Sequence, residues 1–402
     1  MLLVGVALVR LNKDALSSSK VLFLFVVVAY AGALLKPSIP VVYFAINALA
    51  TLCLTSAYIE RGKEQLSGQS AVAARSVAIK CWVGSVPAFV ATAYLVSSSG
   101  GLSGFFETLD QRLLRFEGQG LLLVLVKSAP SIQTAYFALL LTRDKITRLQ
   151  WIVFAVFTAF AAIAAVVSGS RNTLLVMFLV MAICWSLRSR GGVSLKLGAV
   201  GVIVGVLLLV SLEDVRNRAG ELARGSSSIS ELSFADSKSL RYGVIPLEMI
   251  DRTEYAPILY GRTFVAAATN FVPRSVWPDK PDGGGEEYTN YYFGTLWAGA
   301  SRDSPGIFAE SVMNFGRAGG FVFAITLLIT SYVALAHAYS SLRSGRPYVP
   351  AMALVYAYGV VFVGNLPFAE FATAVMNFVT RGLLAAFVAW IFATRFTWNI
   401  RR

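Results

Sequence analysis

The chain has 402 residues, 56% of them hydrophobic and only 14% charged, with a mean hydropathy of +0.65. Repeated apolar runs of spanning length exclude a soluble domain and indicate an all-α polytopic membrane protein. The net charge of +13 invites a nucleic-acid partner, but in a membrane protein such an excess more often marks cation-rich turns on one side of the bilayer.

Met1–Val9 is apolar but too short to span. No small-residue cleavage site follows it, so it reads as the stub of a spanning helix and not as a cleavable signal peptide. Candidate spans then run over 21–35, 38–59, 81–97, 119–141, 149–167, 173–187, 197–212, 318–340, 348–366 and 382–398. Several are short for a hydrocarbon core about 30 Å thick. The cysteines Cys53, Cys81 and Cys184 all fall in apolar runs, as small buried apolar residues do, and imply neither a disulfide framework nor a zinc site.

The turns between spans alternate in charge. Those around 10–20, 60–80, 143–148, 188–196, 343–346 and 395–402 are rich in Lys and Arg and hold only four acids, Asp14, Glu60, Glu64 and Asp144. The positive-inside rule makes that side cytoplasmic, and the expectation of a nucleic-acid partner falls away. The other side holds the remaining acids and a long polar segment. The chain therefore divides into an N-terminal bundle (1–212), a large outer loop (213–317) and C-terminal spanning helices (318–402). No P-loop-type phosphate loop occurs. Chemistry on the outer face would draw on an activated, membrane-borne substrate.

The long loop is too aromatic for a solvating linker. Within 228–252, Leu240, Val244, Leu247 and Met249–Ile250 form a helical stripe beside Arg241, Glu248 and Arg252. Segment 261–273 is apolar enough to lie on the bilayer, and 277–285 reads as an irregular turn region.

Several residues are candidates for chemistry. Ser168-Gly169-Ser170-Arg171-Asn172 is an outer turn opening a helix, where backbone N–H groups, Ser170 and the Arg171 fork suit an anion; a snorkelling arginine is the plainer alternative. Among the loop cations, Arg241, Arg252 and Arg262 have acids nearby to pair with. Arg274 and Lys280 sit in a Pro-Arg…Trp-Pro-Asp-Lys-Pro frame with Trp277, which suits substrate binding. Glu310 lies in an apolar re-entry segment, one helical turn from Asn314, and could serve as a general base or complement a helix dipole. Lys127, within a span, could bind a lipid phosphate or pair internally. Asn365 and Glu370 are weaker candidates at another outer turn. His337, the only histidine, falls toward the cytoplasmic end of its span and reads as structural. No metal-ligand cluster is evident; Asp279-x-x-Asp282 alone is poor support for one.

Taken together, Tyr260-Gly261-x-Thr263-Phe264, Pro273-Arg274-x-x-Trp277-Pro278-x-Lys280-Pro281 and Glu310-x-x-x-Asn314-Phe315-Gly316-x-x-Gly319 resemble the Wzy-type O-antigen and oligosaccharide repeat-unit polymerases of bacteria. The resemblance covers most of the chain in topology and about 150 residues in motif. It implies a GT-C-like glycosyltransferase of the inner membrane; the about 10–11 spanning helices counted in this sequence are fewer than members of the family often have. It also implies catalytic roles for Glu310, Arg171 and Arg274, and substrate contacts from Lys280, Arg241, Asn314, Trp277 and Ser170. The implied partner is an undecaprenyl-diphosphate-linked oligosaccharide at the periplasmic face, with membrane lipid and a chain-length regulator as further partners; no cofactor or metal is expected. An O-antigen ligase of the same architecture would be expected to carry a histidine in the large loop, and this loop has none. A flippase or secondary transporter would be expected to show paired repeats and broken helices. A scaffold role in an export complex is a further alternative.

Overall fold

In the computed structural model the described residues are 1–35, 37–61, 74–101, 120–143, 145–168, 171–189, 192–194, 196–198, 241–252, 258–272, 274, 276–293, 304–344 and 347–397. Among them the chain is helical, with no β-strand. The N-terminal bundle comprises α1 (Leu2–Leu11), α2 (Ser18–Leu35), α3 (Pro40–Glu60), α4 (Ala74–Ser98), α5 (Gly120–Leu140), α6 (Arg148–Val167) and α7 (Arg171–Arg188). Three short helices follow: α8 (Val244–Arg252), α9 (Arg262–Thr269) and α10 (Gly284–Phe293). The C-terminal part is α11 (Gly306–Arg343), α12 (Pro350–Asn365) and α13, which joins Phe371–Asn377, a π-helical stretch Phe378–Leu383 and Leu384–Thr397. Among the described residues, six helices are long and apolar enough to cross a membrane, with four shorter apolar ones beside them. The expected span 197–212 beyond Gly198, the 98–118 loop beyond Gly101, and the first part of the long loop up to Leu240 lie outside the described residues.

Nine of the ten expected spans coincide with described helices, and two are corrected. The helix expected at 318–340 begins at Gly306 and bends at Gly316, whose φ of 72° and ψ of 175° are not helical. That backbone region is essentially reserved for glycine. The bend folds the first segment against the next, bringing the rings of Phe308 and Phe321 to 5.7 Å. The helix expected at 382–398 begins at Phe371, because the polar residues Asn377, Thr380 and Arg381 are buried or half-buried in the bundle and do not end the span.

The short α12 is the axial helix. It is apolar on all sides, buries Leu354, Ala357, Val360 and Val361, and packs against α2, α5, α7, α11 and α13. A helix wrapped by protein need not match the bilayer thickness.

Four of the turns expected to share the basic side, around 10–20, 60, 188–196 and 343, meet at one end. Glu60 accepts hydrogen bonds from the Ser18 hydroxyl, from Ser19 N–H (3.1 Å), from the Ser19 hydroxyl (2.6 Å) and from Asn12 Nδ2 (3.4 Å). Asp14 accepts from Leu16 N–H (3.0 Å), Val193 N–H (3.0 Å), the Tyr339 hydroxyl (2.9 Å) and the Ser186 hydroxyl. Arg343 donates to the carbonyls of Ser186 (2.8 Å) and Ser189 (3.1 Å). Two of the four acids on the basic side are thus fully engaged in tying α2, α3, α7 and α11 together, as buried carboxylates must be.

Candidate functional site

At the opposite end, the segments carrying the motifs fold into one unit. Its base is the buried first segment of α11. Ile307 N–H donates to Leu366 O at 2.7 Å, docking this segment on the turn after α12. Leu259 N–H donates to Met313 O at 3.0 Å, joining the strand of chain before α9. Tyr260 and Gly261 then turn with positive φ (48° and 83°) into α9.

Helix α9 buries Thr263, Ala266 and Ala267 and exposes Arg262 and Val265. Thr263 Oγ1 donates to Glu310 Oε1 at 2.8 Å and accepts from Asn314 Nδ2 at 2.8 Å. Thr263 N–H donates to Asn314 Oδ1 at 3.4 Å. Asn314 Nδ2 also reaches Glu310 O at 2.7 Å, one helical turn back, so the expected shared face is real. Beside this clasp, the Phe264 ring stacks on Phe315 at 5.9 Å and meets Phe371 at 5.0 Å.

Glu310 is wholly buried. Its second oxygen accepts Phe371 N–H at 2.8 Å, so the carboxylate joins α9, α11 and α13. Gly284 lies directly against that carboxylate, and Gly283 against the carboxylate of Glu370; a side chain at either position would collide with it. This explains the glycine run. It is not irregular throughout, since α10 begins at Gly284. Glu370 is also buried and accepts from Thr373 Oγ1 at 3.1 Å.

The Pro-Arg…Trp-Pro-Asp-Lys-Pro frame lies at the surface of this unit. Arg274 donates to Pro278 O (3.1 Å), to Lys280 O (3.4 Å) and to the Asp282 carboxylate. Its side chain remains half-exposed, so guanidinium donors are left over for a ligand. Lys280 Nζ donates to Val272 O at 2.8 Å. Burial and the neighbouring Arg274 lower the Lys280 pKa, against the field of Asp282. Trp277 is exposed, together with Tyr260, Val265, Phe271 and Val276; aromatic and aliphatic side chains so displayed suit the bilayer interface. Arg262 Nε stands 3.9 Å from Glu287 Oε1. Burial raises the Glu287 pKa despite that neighbour.

Arg241 is not among these residues. It pairs with Glu248 at 2.9 Å, and Glu248 in turn accepts the Ser38 hydroxyl at 2.7 Å, anchoring α8 to the α2–α3 turn. Arg171 opens α7; its side chain, like Ser170 and the side chain of Arg252, lies outside the described residues. Lys127 is half-buried in α5, and His337 is exposed toward the basic end of α11. Among the described residues no group of three or more His, Cys, Asp or Glu could hold a metal ion.

Sequence reasoning passed over Arg381. It is only 5% exposed within α13. A cation inside an apolar run was the available signal, hidden because the span was started one residue after it.

No protein-family model matches the chain, and neither a curated protein nor a solved structure does.

Proposed function

We propose that this chain is a membrane glycosyltransferase that polymerises oligosaccharide repeat units carried on undecaprenyl diphosphate, with a GT-C-like architecture and its site on the periplasmic face of the bacterial inner membrane. One observation carries this reading. Three motif blocks, at 260–264, 273–281 and 310–319, converge on a single unit at the end opposite the basic turns, through the Thr263–Glu310–Asn314 clasp and the glycines seated on Glu310 and Glu370.

In this reaction the hydroxyl of an incoming sugar attacks the anomeric carbon of the growing chain. The bond to the lipid diphosphate breaks, and charge builds on the leaving group. Arg274, Lys280 and Arg171 supply cations for that charge. Trp277 and the exposed apolar side chains beside it hold the unit at the interface. Glu310 is the proposed base, and both of its oxygens are engaged beneath Gly284, in the glycine segment that also covers Glu370. Proton abstraction therefore requires that glycine segment to lift; until it does, Glu310 positions Thr263 and Phe371.

The test is the purified chain in lipid, supplied with an undecaprenyl-diphosphate-linked oligosaccharide. A ladder of products should form without nucleotide-sugar and in excess EDTA. Arg171→Ala should slow it by about 100-fold, and Arg171→Lys should rescue poorly because the planar fork is lost. No ladder from the wild type would end the polymerase reading. Restoration by magnesium of a ladder abolished by EDTA would end the metal-free mechanism.

A further inference from the structure

The guanidinium of Arg381 has no hydrogen-bond or ion-pair partner among the described residues, and its Nε is shut away from solvent. Arg381 is ten residues beyond Phe371, about 15 Å along the helix axis, so it lies within the apolar span and not at its edge. Snorkelling does not relieve it, because the side chain is enclosed by protein. An unpaired charge in such a place is costly, and inside membrane bundles it marks a ligand or ion site.

Its backbone is specialised as well. Arg381 falls in the π-helical stretch Phe378–Leu383, a distortion often found where function demands it. Gly382 allows that stretch to press on the ring of Tyr358 in α12; a Cβ at 382 would come within 2.7 Å of the Tyr358 Cβ. The Tyr358 hydroxyl is 3.1 Å from Thr134 Oγ1 of α5, which adds two polar groups at the same depth. Toward the loop end, Asn365 lies two turns along α12 from Tyr358, and its buried Oδ1 also has no partner. Asn377 lies one turn along α13 from Arg381 and is half-buried. On the other side, Phe378 with Gly359 and Phe362 lines an apolar crevice of about 550 Å³ that continues toward Leu342 and Tyr348 at the basic end.

We propose that Arg381 is the anion-binding residue of a site inside the bundle that takes the phosphate group of a lipid, with the apolar crevice receiving part of its chain. The nearest acid in sequence, Glu370, and the buried Glu310 do not compete: both are already engaged at the loop end. A guanidinium fork matches phosphate oxygens bidentately. That the lipid is a polyprenyl diphosphate rests on the proposed function; the demand for an anion does not. The polymerase has two lipid-diphosphate substrates, and this site lies apart from Arg274 and Lys280.

The test is ligand titration of the full chain in phosphatidylcholine nanodiscs, read as the shift in thermal midpoint and as bound ligand by native mass spectrometry. The probes are undecaprenyl diphosphate, undecaprenol and inorganic diphosphate. Undecaprenyl diphosphate should bind and undecaprenol should not compete. Arg381→Leu should weaken binding by about 10- to 100-fold and Arg381→Lys by less. Equal binding of inorganic diphosphate, with the same dependence on Arg381, would make the ligand a free anion and overturn the lipid assignment. Unchanged affinity in a folded Arg381→Leu overturns the site. If that variant does not fold, a photoreactive polyprenyl diphosphate on the wild type decides: crosslinks at 377–382 or Tyr358 support the site, and crosslinks confined to 260–282 overturn it. Turnover is not needed, so the two readings fail separately. Binding without a product ladder removes the polymerase and keeps the site, whereas a wild-type ladder with unchanged lipid affinity in Arg381→Leu removes the site and keeps the polymerase.

Discussion

Glu310 is held by one side-chain donor and one backbone donor in a shell that excludes water. Glu310→Ala would strand Phe371 N–H and open a void, costing about 2–4 kcal/mol; a lowered thermal midpoint should report it. Glu310→Gln can still accept from Phe371 N–H and donate to the Thr263 hydroxyl, so it should fold and bind donor while losing transfer. Retention of both donor binding and the product ladder would leave Glu310 a positioning residue. Glu287 offers a pH test. Burial raises its folded pKa above the ordinary 4.5, so just above pH 4.5 the folded state binds more protons than the unfolded one. Its contribution is present below 4.5 and lost as pH rises through the folded value. Between pH 4.5 and 7 the thermal midpoint of the wild type should therefore fall relative to Glu287→Gln. At this scale the sequence exposed Glu310, Asn314, Arg274 and Lys280 through residue type and spacing. The partners Thr263, Phe371 and Gly284 were not legible, because each comes from a different segment.

Two helices owe their form to local exceptions. In α11, the bend at Gly316 sets Phe315 against Phe264 and lets the segment bearing Glu310 fold back on the span that follows. Gly316→Ala would force a Cβ into a disfavoured backbone region, at about 1–3 kcal/mol. It should lower the thermal midpoint and the yield of product together, since straightening the bend separates Glu310 from Thr263; normal product from a stable Gly316→Ala would show the bend to be incidental. In α13, the π-helical stretch interrupts a helix that hydropathy alone starts at residue 382. Hydropathy treats Asn377 and Arg381 as a boundary, although tertiary neighbours enclose them. For the regular helices α2 to α7, the apolar runs placed the ends to within several residues, because a spanning helix must satisfy its own backbone in lipid.

For the molecule as a whole, the separation of charge gives an expected orientation that labelling can test. Asp279 and Ser344 are exposed at opposite ends, and the three native cysteines are buried. A membrane-impermeant maleimide should label Asp279→Cys on intact spheroplasts and Ser344→Cys only after lysis. The reverse pattern would invert the proposed topology and remove the proposed periplasmic site with it. The sequence by itself determined that the chain is a helical membrane protein and which turns share an end, because hydropathy and positive charge act locally and at every turn. Tertiary structure alone decided that Asp14 and Glu60 are the knot of the basic end. It alone sealed Glu310 beneath Gly284 and left Arg381 enclosed without a counter-charge among the described residues. Those outcomes depend on which side chains meet across segments distant in sequence, and neither apolar periodicity nor charge counting records such pairings.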